Sequence, residues 1–218
     1  MKDSILAFLF RFGLGTIYRL LYQPKILRPV KLPRTRAILV GNHTSYYDPI
    51  TIGIFCNRFP HFMAKRELFA APFGWFFKWL GLIKVDRDQP HQAFTEAKKI
   101  LESDHIVLCF PEGTTRWKKP NELLPFKNGA IRLAKETGAP IIPFAIIGHP
   151  KLFHRSTTVI FGDPINVTDT NDATNDMLRN AVASLMQEIN GEKINLISGK
   201  PARNPSKCPP PSRKSGKI

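Results

Sequence analysis

Short apolar runs alternate with segments of helical periodicity along most of this chain. The apolar runs are rich in valine, isoleucine and phenylalanine, as is typical of strands buried on both faces of a sheet. They are AILVG (37–41), HFMAK (61–65), LIKV (82–85), HIVLCF (105–110), PIIPFAII (140–147) and TTVIFG (157–162). The alternation predicts an α/β fold with a mixed, largely parallel central sheet flanked by helices on both faces.

The helices predicted between these strands have recognisable ends. One begins at Asp48 and Pro49, since proline suits the first helical position, and another ends at Gly138. Residues 90–103 and 172–191 are also helical in pattern, and residues 66–81 are helical in parts with an interruption at Pro72. The aromatic stretch FGWFFKW (73–79) is assigned to the core, with an apolar surface toward lipid or an acyl chain as the alternative.

The net charge of +15 is concentrated at the two ends of the chain. Residues 1–36 carry +7, residues 199–218 carry +6, and residues 37–198 carry only +2. A nucleic-acid-binding protein would instead carry a basic stripe on its folded body, so that class is disfavoured. Basic ends suit an anionic membrane surface. We therefore divide the chain into a basic amphipathic membrane-associating segment (1–36), a folded domain (37–198) and a disordered Pro-rich basic tail (199–218).

The N-terminal segment predicts a helix lying in the membrane interface. Its apolar stretch ILAFLF ends at Arg11, which makes it too short for a signal-peptide core or for an uninterrupted membrane-spanning helix. On a helical wheel Arg11, Gly15 and Arg19 form one polar stripe, which we place at headgroup level with the apolar residues in the bilayer. A helix docked on the protein's own core and a tilted membrane span are the alternatives.

The three cysteines do not form a recognisable framework. Cys56, Cys109 and Cys208 are odd in number, widely spaced and without a CxxC pair. They are predicted to be incidental thiols, which disfavours a disulfide scaffold and a zinc site. We predict no bound metal.

The stretch GNHTSYYDPI (41–50) places a histidine and an aspartate in the connection between a strand and a helix. Positions five apart differ by about 140° on a regular helix, so His43 and Asp48 meet only if NHTSYYD is a turn. The carboxyl ends of strands are where α/β folds bind ligands. A carboxylate there would fix the imidazole tautomer and stabilise the protonated ring. The simpler alternative is that Asp48 only caps the helix and His43 is an ordinary turn residue.

A second polar group follows the strand HIVLCF, in the stretch FPEGTTRWKK (110–119). Glycine lets the backbone approach a ligand closely, and arginine can bind a phosphate through two parallel hydrogen bonds. Arginine in VDR (85–87) and lysine in AKREL (64–68) also follow strands. Alone, each of these stretches is equally consistent with a solvated loop.

Taken together, these stretches resemble the lysophospholipid acyltransferase family typified by 1-acylglycerol-3-phosphate acyltransferases. NHTSYYD matches the NHxSxxD block, KREL the KxEL segment, VDR the arginine block and FPEGTTR the FPEGT block. FKNGA (126–130) and APIIPFAI (139–146) match the segments that follow. The blocks occur in the family's order over residues 37–148, and this combination is highly specific.

The resemblance implies acyl transfer from a thioester to the hydroxyl of a membrane lipid, without a protein nucleophile. His43 would be the general base and Asp48 would orient it. Residues that would bind the phosphate and glycerol of the acceptor are Lys65, Arg87, Glu112, Gly113, Thr114 and Arg116. No permanently bound cofactor is expected, and the co-substrate would be acyl-CoA or acyl-ACP. The expected partners are lysophosphatidate, the acyl thioester, the anionic membrane and, for one donor, acyl carrier protein, with the active site on the cytoplasmic face.

One departure from the family pattern leaves the acceptor open. Many phosphatidate-forming members carry arginine directly after the FPEGT threonine, whereas this chain has Thr115 there and Arg116 next. Another lysophospholipid or glycerol 3-phosphate is the alternative acceptor, and a non-catalytic lipid-surface adaptor is the alternative class. A serine or cysteine hydrolase is disfavoured because the chain has no GxSxG motif.

Overall fold

Six strands of the computed structural model follow the predicted apolar runs closely. The structure describes residues 10–70, 72, 74–86, 89–115, 122–167, 175–191 and 195–196. The predicted disordered tail, residues 199–218, lies outside the described residues. The strands are β1 (Lys25–Arg28), β2 (Ala37–Gly41), β3 (Pro60–Lys65), β4 (Ile83–Val85), β5 (Ile106–Cys109), β6 (Glu122–Leu123), β7 (Ile141–Gly148), β8 (Thr157–Phe161) and β9 (Asn195–Leu196).

The helices separate the strands as the sequence predicts. A π-helical turn (Phe10–Leu14) leads into the first α-helix. The helices are α1 (Gly15–Tyr22), α2 (Asp48–Gly53), α3 (Arg66–Ala70), α4 (Gly74–Trp79), α5 (Pro90–Glu102), α6 (Gly129–Thr137) and α7 (Asn175–Asn190). The predicted ends are confirmed, because α2 begins at Asp48 with Pro49 in its first turn, and α6 is closed by Gly138 at a φ of 66°.

Seven strands form one sheet in the order β1-β8-β7-β2-β5-β3-β4. Strand β2 is central, pairing in parallel with β5 on one side and with β7 on the other. The exception to parallel pairing is β8, which runs antiparallel to β7. The predicted mixed, largely parallel sheet is therefore confirmed. The short strands β6 and β9 pair separately.

Successive residues of β2 point to opposite faces of the sheet, and both faces are covered. Ile38 and Val40 pack in a cluster with α5, α6 and α7. Leu39 packs on the other face against Ile52 of α2. All three β2 side chains are fully buried, and each contributes about 1.5–3 kcal/mol to folding by leaving water. This double burial is why the strand reads as an unbroken apolar run.

Part of the segment assigned to membrane association belongs to the sheet and its core. Strand β1 pairs in parallel with β8, so sheet residues begin before the boundary predicted at residue 37. Helix α1 buries Tyr18, whose hydroxyl lies 2.7 Å from the Oγ1 of Thr51. Within the described residues, no helix has both the length and the apolar character needed to cross a membrane.

The predicted position of Arg19 at headgroup level is wrong. Its Nη2 donates to the carbonyl oxygen of Ile54 at 2.5 Å, and its guanidinium lies over the ring of Phe55. A buried carbonyl at the end of α2 needs a donor, and the long arginine side chain reaches it. Gly15 and Arg19 of the predicted polar stripe therefore face the protein. Its exposed apolar residues are Ile17 and Leu20, preceded by Phe12 and Leu14.

The core assignment of the aromatic stretch is wrong for most of its described residues. Trp75 is 68% exposed, Trp79 is 46% exposed and Phe76 is 39% exposed. Phe77 is the member that packs on the cluster containing Tyr18 and Leu80. Helix α4 has six residues, so it can turn only one narrow side to the core. The alternative, an exposed apolar surface, matches the structure.

Candidate active site

The loop after β2 brings His43 and Asp48 into direct contact. The Nδ1 of His43 lies 2.9 Å from the Oδ2 of Asp48. A carboxylate can only accept, so Nδ1 carries the hydrogen and Nε2 is the basic nitrogen of the neutral ring. His43 also stacks on the ring of Phe110, with centroids 4.1 Å apart. The imidazole is thus held by a carboxylate at one ring nitrogen and by a stacked phenyl ring on one of its faces.

The side chain of Asp48 does not cap α2, because the start of this helix has no side-chain cap hydrogen bond. Its carboxylate is fully buried, and Oδ2 accepts the backbone N–H groups of Thr44 at 2.6 Å and Ser45 at 2.8 Å. Oδ1 accepts from the Oγ1 of Thr44 at 3.3 Å. These bonds fold NHTSYYD into a turn around the carboxylate, which is the geometry that lets residues five apart meet. The alternative that Asp48 only caps the helix is therefore wrong.

Asn42 anchors the start of this loop to β7. Its Nδ2 donates to the carbonyl oxygen of Ile146 at 2.7 Å, and its Oδ1 accepts the N–H of Ile146 at 2.8 Å. The side-chain amide thereby continues the β2–β7 ladder beyond the end of the strand. Gly41 is required just before it, because a Cβ there would lie 2.4 Å from the ring of Phe144.

Glu112 joins the loop after β5 to the loop that carries His43. Its Oε1 accepts the backbone N–H of His43 at 3.0 Å, and its Oε2 accepts the backbone N–H of Leu124 at 3.1 Å. The residue is 5% exposed. Sequence reasoning placed Glu112 at the glycerol and phosphate of the acceptor, whereas these two contacts are to the protein's own backbone.

Lys127 is a site residue that sequence reasoning did not single out. A Cβ built on Gly113 would lie 2.6 Å from the Nζ of Lys127, and Gly113 has a φ of 70°. The ammonium group therefore lies across a glycine that follows Glu112 directly. Within the described part of the chain, no carboxylate lies at ion-pair distance from this group. The sequence signal was the lysine in FKNGA, a stretch quoted only for the resemblance.

The other predicted site residues lie on the same edge of the sheet or outside the described residues. Lys65 ends β3, which is separated from β2 by β5 alone. At the usual strand spacing it lies about 10 Å from the end of β2. Thr114 is exposed next to Gly113. Arg87 and Arg116 are not among the described residues.

A cysteine nucleophile at this edge is disfavoured. Cys109 ends β5 and is buried, and burial raises the pKa of its thiol to about 12. A thiol with that pKa is not a thiolate near neutral pH, and the thiolate is the reactive form. Ser45 is fully buried, and its Oγ accepts the N–H of Tyr47 at 3.3 Å. The described residues contain no group of three His, Cys, Asp or Glu side chains able to hold a metal ion.

Comparison with known proteins finds relatives that share one printed name. A 1-acyl-sn-glycerol-3-phosphate acyltransferase of Bacillus subtilis is 31% identical over 153 residues, covering 66% of this chain and 75% of that protein. A chloroplastic 1-acyl-sn-glycerol-3-phosphate acyltransferase of Brassica napus is 29% identical over 177 residues, covering 75% of this chain and 48% of that protein. The chain thus spans about half the length of the Brassica relative.

A solved structure shares the fold. The crystal structure of the 1-acyl-sn-glycerophosphate (LPA) acyltransferase PlsC from Thermotoga maritima matches with a TM-score of 0.70 at 21% identity, covering 88% of this chain and 82% of that chain. The sequence model of the Acyltransferase family matches residues 24–147, which is more than half of the chain. That range begins at β1 and includes the His43–Asp48 pair and Glu112. The chain belongs to the Acyltransferase family.

Proposed function

We propose that this chain is a 1-acyl-sn-glycerol-3-phosphate acyltransferase. It would transfer a fatty acyl group from an acyl thioester to the free hydroxyl of lysophosphatidate, forming phosphatidate in phospholipid biosynthesis. The observation that carries the proposal is the 2.9 Å contact between the Nδ1 of His43 and the buried carboxylate of Asp48. The printed names of the Bacillus and Brassica relatives support the same reaction.

His43 acts as the general base in this proposal. Its Nε2 takes the proton of the acceptor hydroxyl while the hydroxyl oxygen attacks the thioester carbonyl carbon. The carbon–sulfur bond then breaks, and the imidazolium returns the proton to the departing thiolate. Asp48 holds the reactive tautomer and stabilises the protonated ring. General-base catalysis of this kind contributes about 10²–10⁴-fold to the rate.

Basic side chains hold the acceptor's phosphate in this proposal. The candidates are Lys65, Arg87 and Arg116, as the resemblance implies, together with Lys127. Gly113 and Thr114 shape the space beside them. Glu112 contributes by holding the His43 backbone, which is a positioning role. The ammonium of Lys127 has no ion-pair partner among the described residues, and its place beside Gly113 supports an anion there.

The enzyme works at a membrane surface in this proposal, with its active site on the cytoplasmic face. Ile17 and Leu20 of α1 are 58% and 67% exposed, and Trp75 of α4 is 68% exposed. Exposed apolar side chains of this size suit the interface of a bilayer. The basic excess of the chain suits the anionic cytoplasmic leaflet, which is also the side where acyl-CoA and acyl-ACP have aqueous access.

Turnover of purified full-length protein with lysophosphatidate tests the reaction. Acyl-CoA and acyl-ACP are supplied in separate arms, and His43→Ala is compared with wild type. The variant should lose at least about 100-fold in kcat. His91→Ala, an exposed histidine on α5, is the matched control and should retain wild-type turnover. A loss below about tenfold for His43→Ala would remove His43 from the role of base.

A panel of acceptors tests the substrate, because Thr115 occupies the position where arginine follows the FPEGT threonine in many relatives. Lysophosphatidate, other lysophospholipids and glycerol 3-phosphate are compared by kcat/KM. The proposal requires lysophosphatidate to rank first. A higher value for another acceptor would reassign the substrate, and no turnover with any pair would favour the lipid-surface adaptor.

A further inference from the structure

The connection between β7 and β8 projects from the same sheet edge as His43. Strand β7 is parallel to β2, so both strands end at this edge, and residues 149–156 follow β7 there. We call residues 149–156 the hairpin tip. At its base, the Oγ1 of Thr44 lies 3.2 Å from the carbonyl oxygen of Gly148 and 3.3 Å from the Oδ1 of Asp48, so its one hydrogen is shared between these two acceptors. The hairpin is therefore fixed directly to the loop that carries His43.

Two large apolar side chains are exposed to solvent at the hairpin tip. Leu152 is 53% exposed and Phe153 is 69% exposed. Phe153 has a φ of 58°, a left-handed backbone conformation that bulky residues rarely adopt. The turn is braced by the Nδ1–H of His154, which donates to the carbonyl oxygen of Leu152 at 2.7 Å. The fold thus maintains an unfavourable backbone conformation while leaving an aromatic side chain in water.

The hairpin tip is basic as well as apolar. Lys151, His154 and Arg155 are exposed around the two apolar residues. The sequence contains no aspartate or glutamate between Glu136 and Asp163. Among the described residues, no carboxylate forms an ion pair with Lys151 or Arg155. Apolar residues surrounded by unneutralised cations are complementary to an anionic lipid surface.

The hairpin tip is continuous with the exposed side of α1. The backbone N–H of Phe153 donates to the carbonyl oxygen of Leu21 at 2.5 Å. The neighbouring residues Ile17 and Leu20 are the exposed apolar side chains of that helix. A surface that receives α1 therefore also meets Leu152 and Phe153.

We propose that the hairpin tip is a second membrane-insertion element, which seats Leu152 and Phe153 at the boundary between headgroups and acyl chains of an anionic bilayer. Lys151 and Arg155 lie at the level of the lipid phosphates. This inference rests on the proposed membrane association. Because Thr44 ties the hairpin to the His43 loop, insertion holds the opening of the site against the surface that contains the acceptor lipid.

Vesicle co-sedimentation of the full chain tests the apolar contribution. Vesicles of phosphatidylcholine with and without phosphatidylglycerol are compared for wild type and for Leu152→Ser/Phe153→Ser. The double variant should partition about tenfold or more weakly onto the anionic vesicles. Met177→Ser is the control. Met177 is 40% exposed on α7, which packs on the face of the sheet that Ile38 and Val40 occupy. This variant should bind vesicles like wild type.

The charge contribution has its own variant. Lys151→Gln/Arg155→Gln should weaken binding to anionic vesicles by about fivefold per residue, with little change on neutral vesicles. Added salt should reduce this difference because it screens exposed charges. An equal loss on neutral and anionic vesicles would contradict the assignment of these cations to lipid phosphates.

A direct probe distinguishes insertion from loss of folding. Phe153→Cys labelled with an environment-sensitive fluorophore, in a Cys208→Ser background, should brighten on adding anionic vesicles. Cys56 and Cys109 are buried and should not label. Met177→Cys labelled in the same way should not respond. If the protein co-sediments with the vesicles but the fluorescence at position 153 does not change, the inference is overturned and the proposed membrane association stands.

The remaining outcomes also decide between the two proposals. If wild type fails to bind any vesicle, the proposed membrane association itself fails. If wild type binds and the Leu152/Phe153 double variant binds equally well, only the hairpin inference fails. If wild type is a dimer and the double variant a monomer by analytical ultracentrifugation, a second copy occupies this surface, and the lipid assignment is overturned.

Discussion

The carboxylate of Glu112 accepts the backbone N–H of His43 at 3.0 Å, although the two residues are 69 positions apart in the chain. Its other oxygen accepts the N–H of Leu124. Loops that follow two neighbouring parallel strands are thereby fixed to each other through one buried side chain. The position of His43 depends on the loop after β5 as well as on its own loop.

Glu112→Gln tests whether this residue positions the histidine or binds the acceptor. Glutamine keeps the size but replaces one accepting oxygen with a donor, so one backbone N–H loses its partner. We expect the free energy of unfolding to fall by about 1–3 kcal/mol and kcat to fall with it. Chemical denaturation and steady-state kinetics measure both. Glu96→Gln, on the exposed side of α5, is the control. Unchanged stability with a raised KM for the acceptor would instead make Glu112 a substrate-binding residue.

Asp48→Asn should weaken His43 as a base, although asparagine has nearly the same size as aspartate. The Nδ1 of His43 and the backbone N–H groups of Thr44 and Ser45 all contact Oδ2, so an amide nitrogen at that position would face three donors, and an amide oxygen there would carry no full negative charge. We expect kcat to fall by about 10²–10⁴-fold, because the neutral amide no longer stabilises the protonated ring. Asp163→Asn, at an exposed position, should behave like wild type. Activity of Asp48→Asn within about threefold of wild type would refute the orienting role.

Lys127→Met should weaken binding of phosphate-bearing acceptors specifically. Loss of a charged hydrogen bond should raise the KM for lysophosphatidate about tenfold or more. The KM for the acyl donor should stay constant, and Lys127→Arg should recover part of the loss. Kinetics with lysophosphatidate and with a phosphate-free monoacylglycerol make the comparison, and Lys135→Met, at an exposed position on α6, serves as the control. An equal rise in the KM for both acceptors would show that Lys127 does not bind the phosphate.

Tyr18→Phe should change how stability depends on alkaline pH. Burial raises the pKa of Tyr18 from 10.0 to about 12. Between these values the unfolded chain loses a proton that the folded chain keeps, so wild-type stability falls as the pH rises. Phenylalanine removes that contribution, but it also removes the hydrogen bond to Thr51, at a cost of about 0.5–1.5 kcal/mol near neutral pH.

The measurement for Tyr18 is urea denaturation of both proteins from neutral pH to about pH 12. The stability advantage of wild type over Tyr18→Phe should be largest near neutral pH and should shrink above pH 10. Tyr46→Phe is the control, because Tyr46 is 72% exposed. An advantage of constant size across the range would mean that the Tyr18 hydroxyl titrates equally in both states.

Strands buried on both faces could be predicted because their side chains must be apolar at every position. This is why β2 and β5 matched the expected runs. Strand β1 was not predicted, since KILR lies at the edge of the sheet and only Ile26 is partly buried. The direction of β8 was also open, because an apolar run has the same pattern in parallel and antiparallel neighbours. The aromatic residues of α4 were misassigned because exposure depends on how a short helix is docked.

The sequence by itself determined the α/β architecture, because apolar periodicity is a local property of the chain. It left the pairing of His43 with Asp48 open beside the capping alternative, and the family resemblance implied their joint role. Only the tertiary structure decided that Glu112 holds the His43 backbone and that Lys127 lies across Gly113. It also decided that Arg19 faces the protein and that Phe153 lies beside α1. Each of these contacts joins residues distant in sequence through side-chain directions that only the packed sheet fixes.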